Sequence, residues 1–317
     1  MTTWLMRRLR SSSAWWIYMI VIALALPAII GKSYLYVACL FLIMTLYATS
    51  LNLLFGYAGL LSFGQSAFFG IGGYTIALLM AKASIPFIPA LTAVPVVTAI
   101  FALFIGYFCV RLTGVYFAIL ALAFSQLIFY IICQWYTFTG GDDGIAVSLP
   151  QYVIDYYYYF TVSIVGSCLF LLYRMIASPF GRIIQAMRED PERATFMGVN
   201  VRRTRLVTFM ISGAFAGIAG ALLVIHQRMA FPDIAGFHKG FEPILMALLG
   251  GIYNFLGPMV GAGLFVFLEF FLSTYTEYSY LVFGLLVLVV VLVLPGGVVG
   301  FIMERVKRLK RSREEYN

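Results

Sequence analysis

Apolar residues fall along this chain in long runs separated by short polar or glycine-rich joints. A run of about 20 such residues, at 1.5 Å rise each, crosses the hydrocarbon core of a bilayer as a helix. The first extends from Trp15 to Ile30 behind Arg7, Arg8 and Arg10, and predicts a retained first helix rather than a cleaved signal peptide. Further spans are expected at about Tyr34–Leu54, Leu60–Met80, Ile88–Val110, Gly114–Trp135, Tyr156–Ile176 and Leu206–Ile225. A broken pair follows at Phe241–Leu249 and Leu256–Thr274, then a last span at Tyr280–Leu294.

The placement of basic residues tests this count of ten. With the N-terminus inside, seventeen of the 21 Lys and Arg residues fall on the cytoplasmic side, and only Lys32, Lys82, Arg228 and Lys239 fall outside. That is the asymmetry of the positive-inside rule, and fusing the broken pair into one span would throw the basic C-terminal cluster outside. Ten crossings with both termini cytoplasmic are therefore expected.

Composition agrees. Of 317 residues, 62% are hydrophobic and 11% charged, against about 25% charged in an average soluble domain. A water-soluble globule and a disordered chain are both excluded. The expected organisation is a cytoplasmic segment over 1–14, one transmembrane domain over 15–302 with a cytoplasmic loop at about 177–205, and a basic tail over 303–317. No room remains for an energy-converting domain, which must be a separate polypeptide.

Catalytic chemistry is not in evidence. Cys39, Cys109, Cys133 and Cys168 sit in apolar runs and read as small buried hydrophobes, and His226 and His238 form no metal-ligand cluster. Gly31-Lys32-Ser33 imitates the tail of a phosphate-binding loop, but Leu26 stands where the earlier glycine is required. We expect no enzyme activity, metal or cofactor in this chain, and no nucleic-acid partner. The basic tail from Arg305 to Arg313 suits anionic lipid head groups, although the positive-inside rule also explains it.

Polar residues inside the spans are few: Asn52, Ser62, Gln65, Ser66, Gln126, Ser212 and Glu269. Such side chains face the protein interior or a watery path, and bond to neighbouring helices more often than they line a pore. Asn52, Ser62, Gln65 and Ser66 surround a glycine-rich break at Phe55–Tyr74; these, with Gln126, are the candidates for a translocation path. A second glycine-rich region lies at Leu249–Gly263 and runs the opposite way across the membrane. Oppositely oriented interrupted segments hint at an inverted repeat and a transporter's substrate route. Gly213, Gly217 and Ala221 share one helix face and predict close packing.

The polar stretch from Ala177 to Leu206 carries a short helix in its sequence. Asp190 is suited to cap it, Pro191 to open it, and Gly198 to stop it after Met197. Two turns are too few to be stable alone, which points to a docking element held by its loop or by a partner.

The run Leu51-Asn52-Leu53-Leu54-Phe55-Gly56-Tyr57-Ala58-Gly59-Leu60-Leu61-Ser62-Phe63-Gly64, continuing through Ala67–Gly72 and Tyr74-Thr75, resembles the permeases of branched-chain amino-acid ABC importers, LivM type. Thr139-Gly140-Gly141 with Gly144, Ser178-Pro179-Phe180-Gly181-Arg182, and Pro295-Gly296-Gly297 with Gly300 fit in the same order, so the likeness covers about 35–302. It implies a type II-like importer architecture in the bacterial plasma membrane. The implied partners are a second related permease, two cytoplasmic ATPase subunits that hydrolyse the ATP, and an external solute-binding protein. Glu192-Arg193-Ala194 with Gly198 resembles the motif that docks on the ATPase, making Asp190, Pro191, Glu192, Arg193, Ala194 and Gly198 the implied coupling residues. The chain departs from the family at Gly73, at Gln65-Ser66, at Tyr253-Asn254 and at Arg193. The implied cargo is a branched-chain or other apolar amino acid. Relatives that move urea or short amides are the alternative, and an ATP-independent transporter or channel is the rival from another class.

Overall fold

The computed structural model describes residues 32–275 and 296–301, together with Gly284, Leu285 and Leu288. The first helix at Trp15–Ile30, most of the last span and both terminal segments lie outside the described residues. The chain is an all-α membrane protein. Its helices are α1 (Lys32–Asn52), α2 (Gln65–Ala81), α3 (Phe87–Cys109), α4 (Val115–Gln134) and α5 (Tyr157–Ala177), followed by α6 (Pro179–Glu189), α7 (Pro191–Phe196), α8 (Val201–Gln227), α9 (Phe237–Gly250) and α10 (Gly257–Tyr275). Among the described residues, five segments are long and apolar enough to cross a membrane, one in each of α1, α3, α4, α5 and α8. Helices α2 and α10 are shorter apolar helices.

Burial separates the spans into two kinds. The apolar windows of α1 and α8 are 72% buried within the chain, whereas those of α3 and α4 are 28% buried. Helix α8 packs most extensively on α2 and α3, and also on α1. Small residues make this approach feasible. A side chain at Gly217 would run into Thr98 of α3, and one at Gly72 in α2 would run into the backbone of Gly217. Gly213 faces Ala102 and Phe68, and Ala221 is fully buried. In lipid such contacts hold by dispersion, because the hydrophobic effect does not drive one helix onto another.

Helix α1 ends in a π turn, Leu53–Tyr57, closed by the Ala58 N–H on the Leu53 carbonyl at 3.2 Å. The chain then runs without regular structure to Gly64, so α2 begins at Gln65 rather than at the expected Leu60. Hydropathy continues through Leu60, Leu61 and Phe63, and it cannot register a break made by Gly56, Gly59 and Gly64. The second interruption is likewise present: α9 stops at Gly250, with Gly251 at φ +109°, and α10 starts at Gly257. Gly297 is pressed against the backbone of Gly251, so the glycine-rich C-terminal motif buttresses this turn.

On the side expected to face outward, two short strands, β1 (Ile145–Ala146) and β2 (Met229–Ala230), pair antiparallel and tie the α4–α5 connection to the end of α8. Tyr136 donates a hydrogen bond to the Asp143 carboxylate at 2.7 Å, and that bond with its charge raises the phenol's pKa. On the opposite side, α6 opens with Pro179 at its first turn and buries Gly181, Ile184 and Met187 on one face. This helix is not among the expected elements, since its apolar stripe is only three residues wide within a charged loop.

Candidate functional site

Five of the polar side chains on four helices meet in the core. Gln65 of α2 donates from Nε2 to Ser50 Oγ of α1 at 3.2 Å and to Ser212 Oγ of α8 at 2.9 Å. Ser212 Oγ donates in turn to the Ser50 carbonyl at 2.6 Å. Beside them, Ser66 Oγ and Ser125 Oγ of α4 lie 2.7 Å apart. All five side chains are fully buried, and their hydroxyls and the Gln65 amide nitrogen pair with one another where water is excluded.

Asn52 completes the cluster in a different way. It is fully buried at the last position of α1, and neither its Nδ2 nor its Oδ1 has a hydrogen-bond partner among the described residues. Gln65 Oε1 is unpartnered too. A buried amide without a partner costs roughly 1–3 kcal/mol, so these atoms form a local polar deficit at the π turn. π turns are frequent at functional sites. Ser62 is also fully buried, and its hydroxyl accepts the Gly64 N–H at 3.3 Å, shaping the break. Gln126 joins no hydrogen bond to the cluster, and its Nε2 is buried without a partner. Its neighbour Ser125 provides the contact from α4, because successive helical residues point about 100° apart.

Gly56 is where the two interrupted regions touch. A side chain there would clash with Asn52 Oδ1 and with the carbonyl oxygen of Ile252, in the turn between α9 and α10. Sequence reasoning singled out both regions without joining them.

From below, the α6–α7 loop reaches the same point. Arg188, on the last turn of α6, donates from Nη1 to the Gly56 carbonyl, and its guanidinium sits 4.7 Å from the centre of the Tyr253 ring. Gly59 at φ +68° packs on the Arg188 stem. One side chain therefore touches the π turn, the break after it and the α9–α10 turn. A crevice of about 440 Å³ opens here, lined by Gly56, Tyr57, Gln185, Arg188, Glu189 and Tyr253. Arg188 was not singled out from sequence, since it is one of six basic residues in that loop.

Helix α7 follows at once. Asp190 Oδ1 accepts the N–H groups of Glu192 and Arg193, each at 3.0 Å, and Pro191 occupies the first helical position. Gly198 at φ +85° ends the element. Glu192 is exposed, as is Arg193, which pairs with Asp190 at 2.8 Å; Ala194 alone is buried, at 3% exposure. Phe196 and Met197 are 91% and 83% exposed. Two apolar side chains thus stand bare in a charged loop, and an apolar pair among charges is the sequence feature that would have singled them out.

Residues 33–291 match the family described as "Branched-chain amino acid transport system / permease component". The chain belongs to this permease family. It is 26% identical to the high-affinity branched-chain amino acid transport system permease protein LivM of Escherichia coli K12, over 91% of this chain and 75% of that one. Identity to the probable LivM permease of Methanocaldococcus jannaschii is 27%, over 79% of this chain and 88% of that one. A shorter stretch, 39% of this permease and 40% of its relative, is 37% identical to the E. coli LivH permease. No solved structure matches the permease. Among its described residues no group of three or more His, Cys, Asp or Glu could hold a metal, and all four cysteines are free.

Proposed function

We propose that this permease is the transmembrane subunit of an ATP-driven importer for branched-chain or other apolar amino acids in the bacterial plasma membrane. It crosses the membrane ten times with both ends inside. A second, related permease stands beside it, two ATPase subunits bind below, and a solute-binding protein delivers cargo from outside. The chain itself holds no cofactor. Similarity to both LivM and LivH relatives supports a paired permease.

The observation that carries this reading is the linkage from α7 to the core. The capped helix at Asp190–Gly198 displays Glu192, Arg193, Phe196 and Met197, and Arg188 just before it holds the π turn beside Asn52 and Gln65. ATPase closure against α7 then moves Gly56 and Tyr253 together and opens or shuts the path past Asn52, Ser62, Gln65, Ser66 and Gln126. Each ligand, ATP inside and loaded binding protein outside, biases one of two states of similar free energy.

The test uses the permease co-purified with its native partners and reconstituted into vesicles. Glu192→Lys and Gly198→Lys are expected to abolish ATP-dependent leucine uptake while membrane insertion stays normal. Undiminished uptake in both variants removes α7 as the coupling element. Leucine uptake by the wild-type chain alone, without ATPase subunits, removes the ATP-driven reading.

A further inference from the structure

The end of α3 and the start of α8 bring three arginines to one place. Arg111, just past the last turn of α3, holds its guanidinium 4.3 Å from the centre of the Tyr107 ring, and Arg202 of α8 approaches the same ring at 5.7 Å. Arg205 follows Arg202 by about one turn on α8 and is half-buried, its Nε shut off from solvent without a hydrogen-bond partner. The two helix ends meet at Gly106, where an added side chain would run into Phe209 and Leu206. None of the three arginines takes part in an ion pair among the described residues.

Cations gathered on one ring repel one another, and the ring's attraction for each is modest at an exposed site. The positive-inside rule accounts for basic residues crowding one end of a bundle, but not for their convergence on a single ring without an acid. The place also lies at a boundary. The apolar window of α3 is only 28% buried within the chain, and beside Tyr107 the rings of Phe108 and Phe104 stand exposed, packed edge to face at 5.4 Å. Phe104 lies almost a full turn deeper into the span than Tyr107. A ligand that fits must bring an anion to the guanidiniums and an apolar chain to the rings above them. A free phosphate ion supplies the first and leaves the second bare. An acidic protein surface stops at the level of the arginines, short of Phe104.

We infer that the α3–α8 junction is a binding site for an anionic phospholipid, its phosphodiester at Arg111 and Arg202 and its acyl chains along Phe104 and Phe108. The planar, weakly hydrated guanidinium suits a phosphate, and basic pockets between transmembrane helices take such head groups. The site does not depend on the importer reading or on which solute passes. It gives α8, the helix that packs on α1, α2 and α3, a lipid anchor at the end next to α7.

The probe is phosphatidylglycerol carrying a diazirine in one acyl chain close to the glycerol. It is added in trace amount to phosphatidylcholine vesicles holding the permease with its co-purified partners, and irradiated. Adducts are expected on peptides that contain 104–111 or the start of α8. Excess unlabelled phosphatidylglycerol is expected to suppress them, whereas added inorganic phosphate leaves them in place. Arg111→Gln and Arg202→Gln are each expected to lower labelling about fivefold, the effect of one basic residue at a charged lipid surface. Tyr107→Leu keeps every charge but removes the ring that gathers two of them, and is expected to lower labelling about threefold. Arg203→Gln removes the same charge from an adjoining position of α8 and is expected to leave labelling unchanged. Thermal unfolding of each variant shows that the fold is retained.

Labelling that ignores Arg111→Gln and Arg202→Gln overturns the site. So does labelling that falls as far in Arg203→Gln, or that stays whole in Tyr107→Leu, since it then follows net charge and not placement. Suppression by inorganic phosphate makes the arginines a site for a free anion and removes the lipid. Variants that keep their labelling but lose their ATPase subunits assign the arginines to a protein contact, which also overturns the proposal.

Discussion

Gln65 shows how one side chain serves packing and path together. Its amide nitrogen joins α1 to α8 through Ser50 and Ser212, while its Oε1 stays buried without a partner. Gln65→Leu removes hydrogen bonds worth on the order of 1 kcal/mol each, but it also removes an unsatisfied oxygen, so the change in folding stability is small. Uptake is expected to fall on the order of tenfold if the amide meets the cargo. Thermal unfolding and leucine uptake, measured on the same preparation, separate the two effects. Asp190→Ala acts in the opposite place. It frees two N–H groups at the start of α7 and is expected to destabilise that helix by about 0.5–2 kcal/mol. The expected result is impaired uptake with unchanged melting of the membrane domain. These positions were readable from sequence because buried polar residues are rare in apolar runs, and because the Asp-Pro cap and the Gly stop have a fixed grammar. Ser50 and Ser125 were not: Ser50 donates to the Tyr47 carbonyl of its own turn at 2.7 Å as well as accepting from Gln65, and the sequence does not mark a serine that also has a partner on another helix.

Among the helices, α8 sets the tolerance of the core. It meets α2 backbone against backbone and α3 backbone against side chain, with Gly217 between Gly72 and Thr98. Gly217→Val must push one of these helices away, an overpacking cost of about 1–3 kcal/mol. Lower yield and a lower melting temperature of the purified permease are the expected readouts. The stripe of Gly213, Gly217 and Ala221 was legible from spacing alone, but its partners were not, since a small-residue face records that something comes close without recording what. Helix boundaries were legible wherever a polar residue or proline stopped an apolar run. They slipped at Leu60–Gly64, where the break is made by backbone conformation inside a stretch that is still apolar. Helix α6 was missed for the reverse reason: only Gly181, Ile184 and Met187 reach the core, and the charges between them look like loop.

Across the whole molecule, the two faces are built differently. The side expected to face outward is fastened by the β1–β2 pair and the Tyr136–Asp143 hydrogen bond, whereas the opposite side presents a short capped helix with bare Phe196 and Met197. Phe196→Asp is expected to reduce recovery of ATPase subunits with the tagged permease while leaving its own insertion and melting unchanged. Equal recovery removes that face from the docking surface. The family and the membrane character were legible over nearly the full length, because repeated apolar runs and glycine motifs are dictated by lipid and by close backbone approach. The meeting of the two glycine-rich regions at Gly56 and Ile252 was not, since nothing in either stretch names the other.

Arg188 has a consequence for anyone who would rebuild this protein from parts. Its contacts lie on Gly56, Gly59 and Tyr253, segments nearly two hundred positions apart along the chain. The α6–α7 loop is therefore not an interchangeable cassette. A chimera that receives residues 178–200 from another permease is expected to insert and to capture the donor's ATPase, yet to stay silent in uptake. Activity should return only when positions 56–59 and 253 are transplanted with it, so the smallest unit that can be exchanged is three pieces of chain that no linear cut can lift out together.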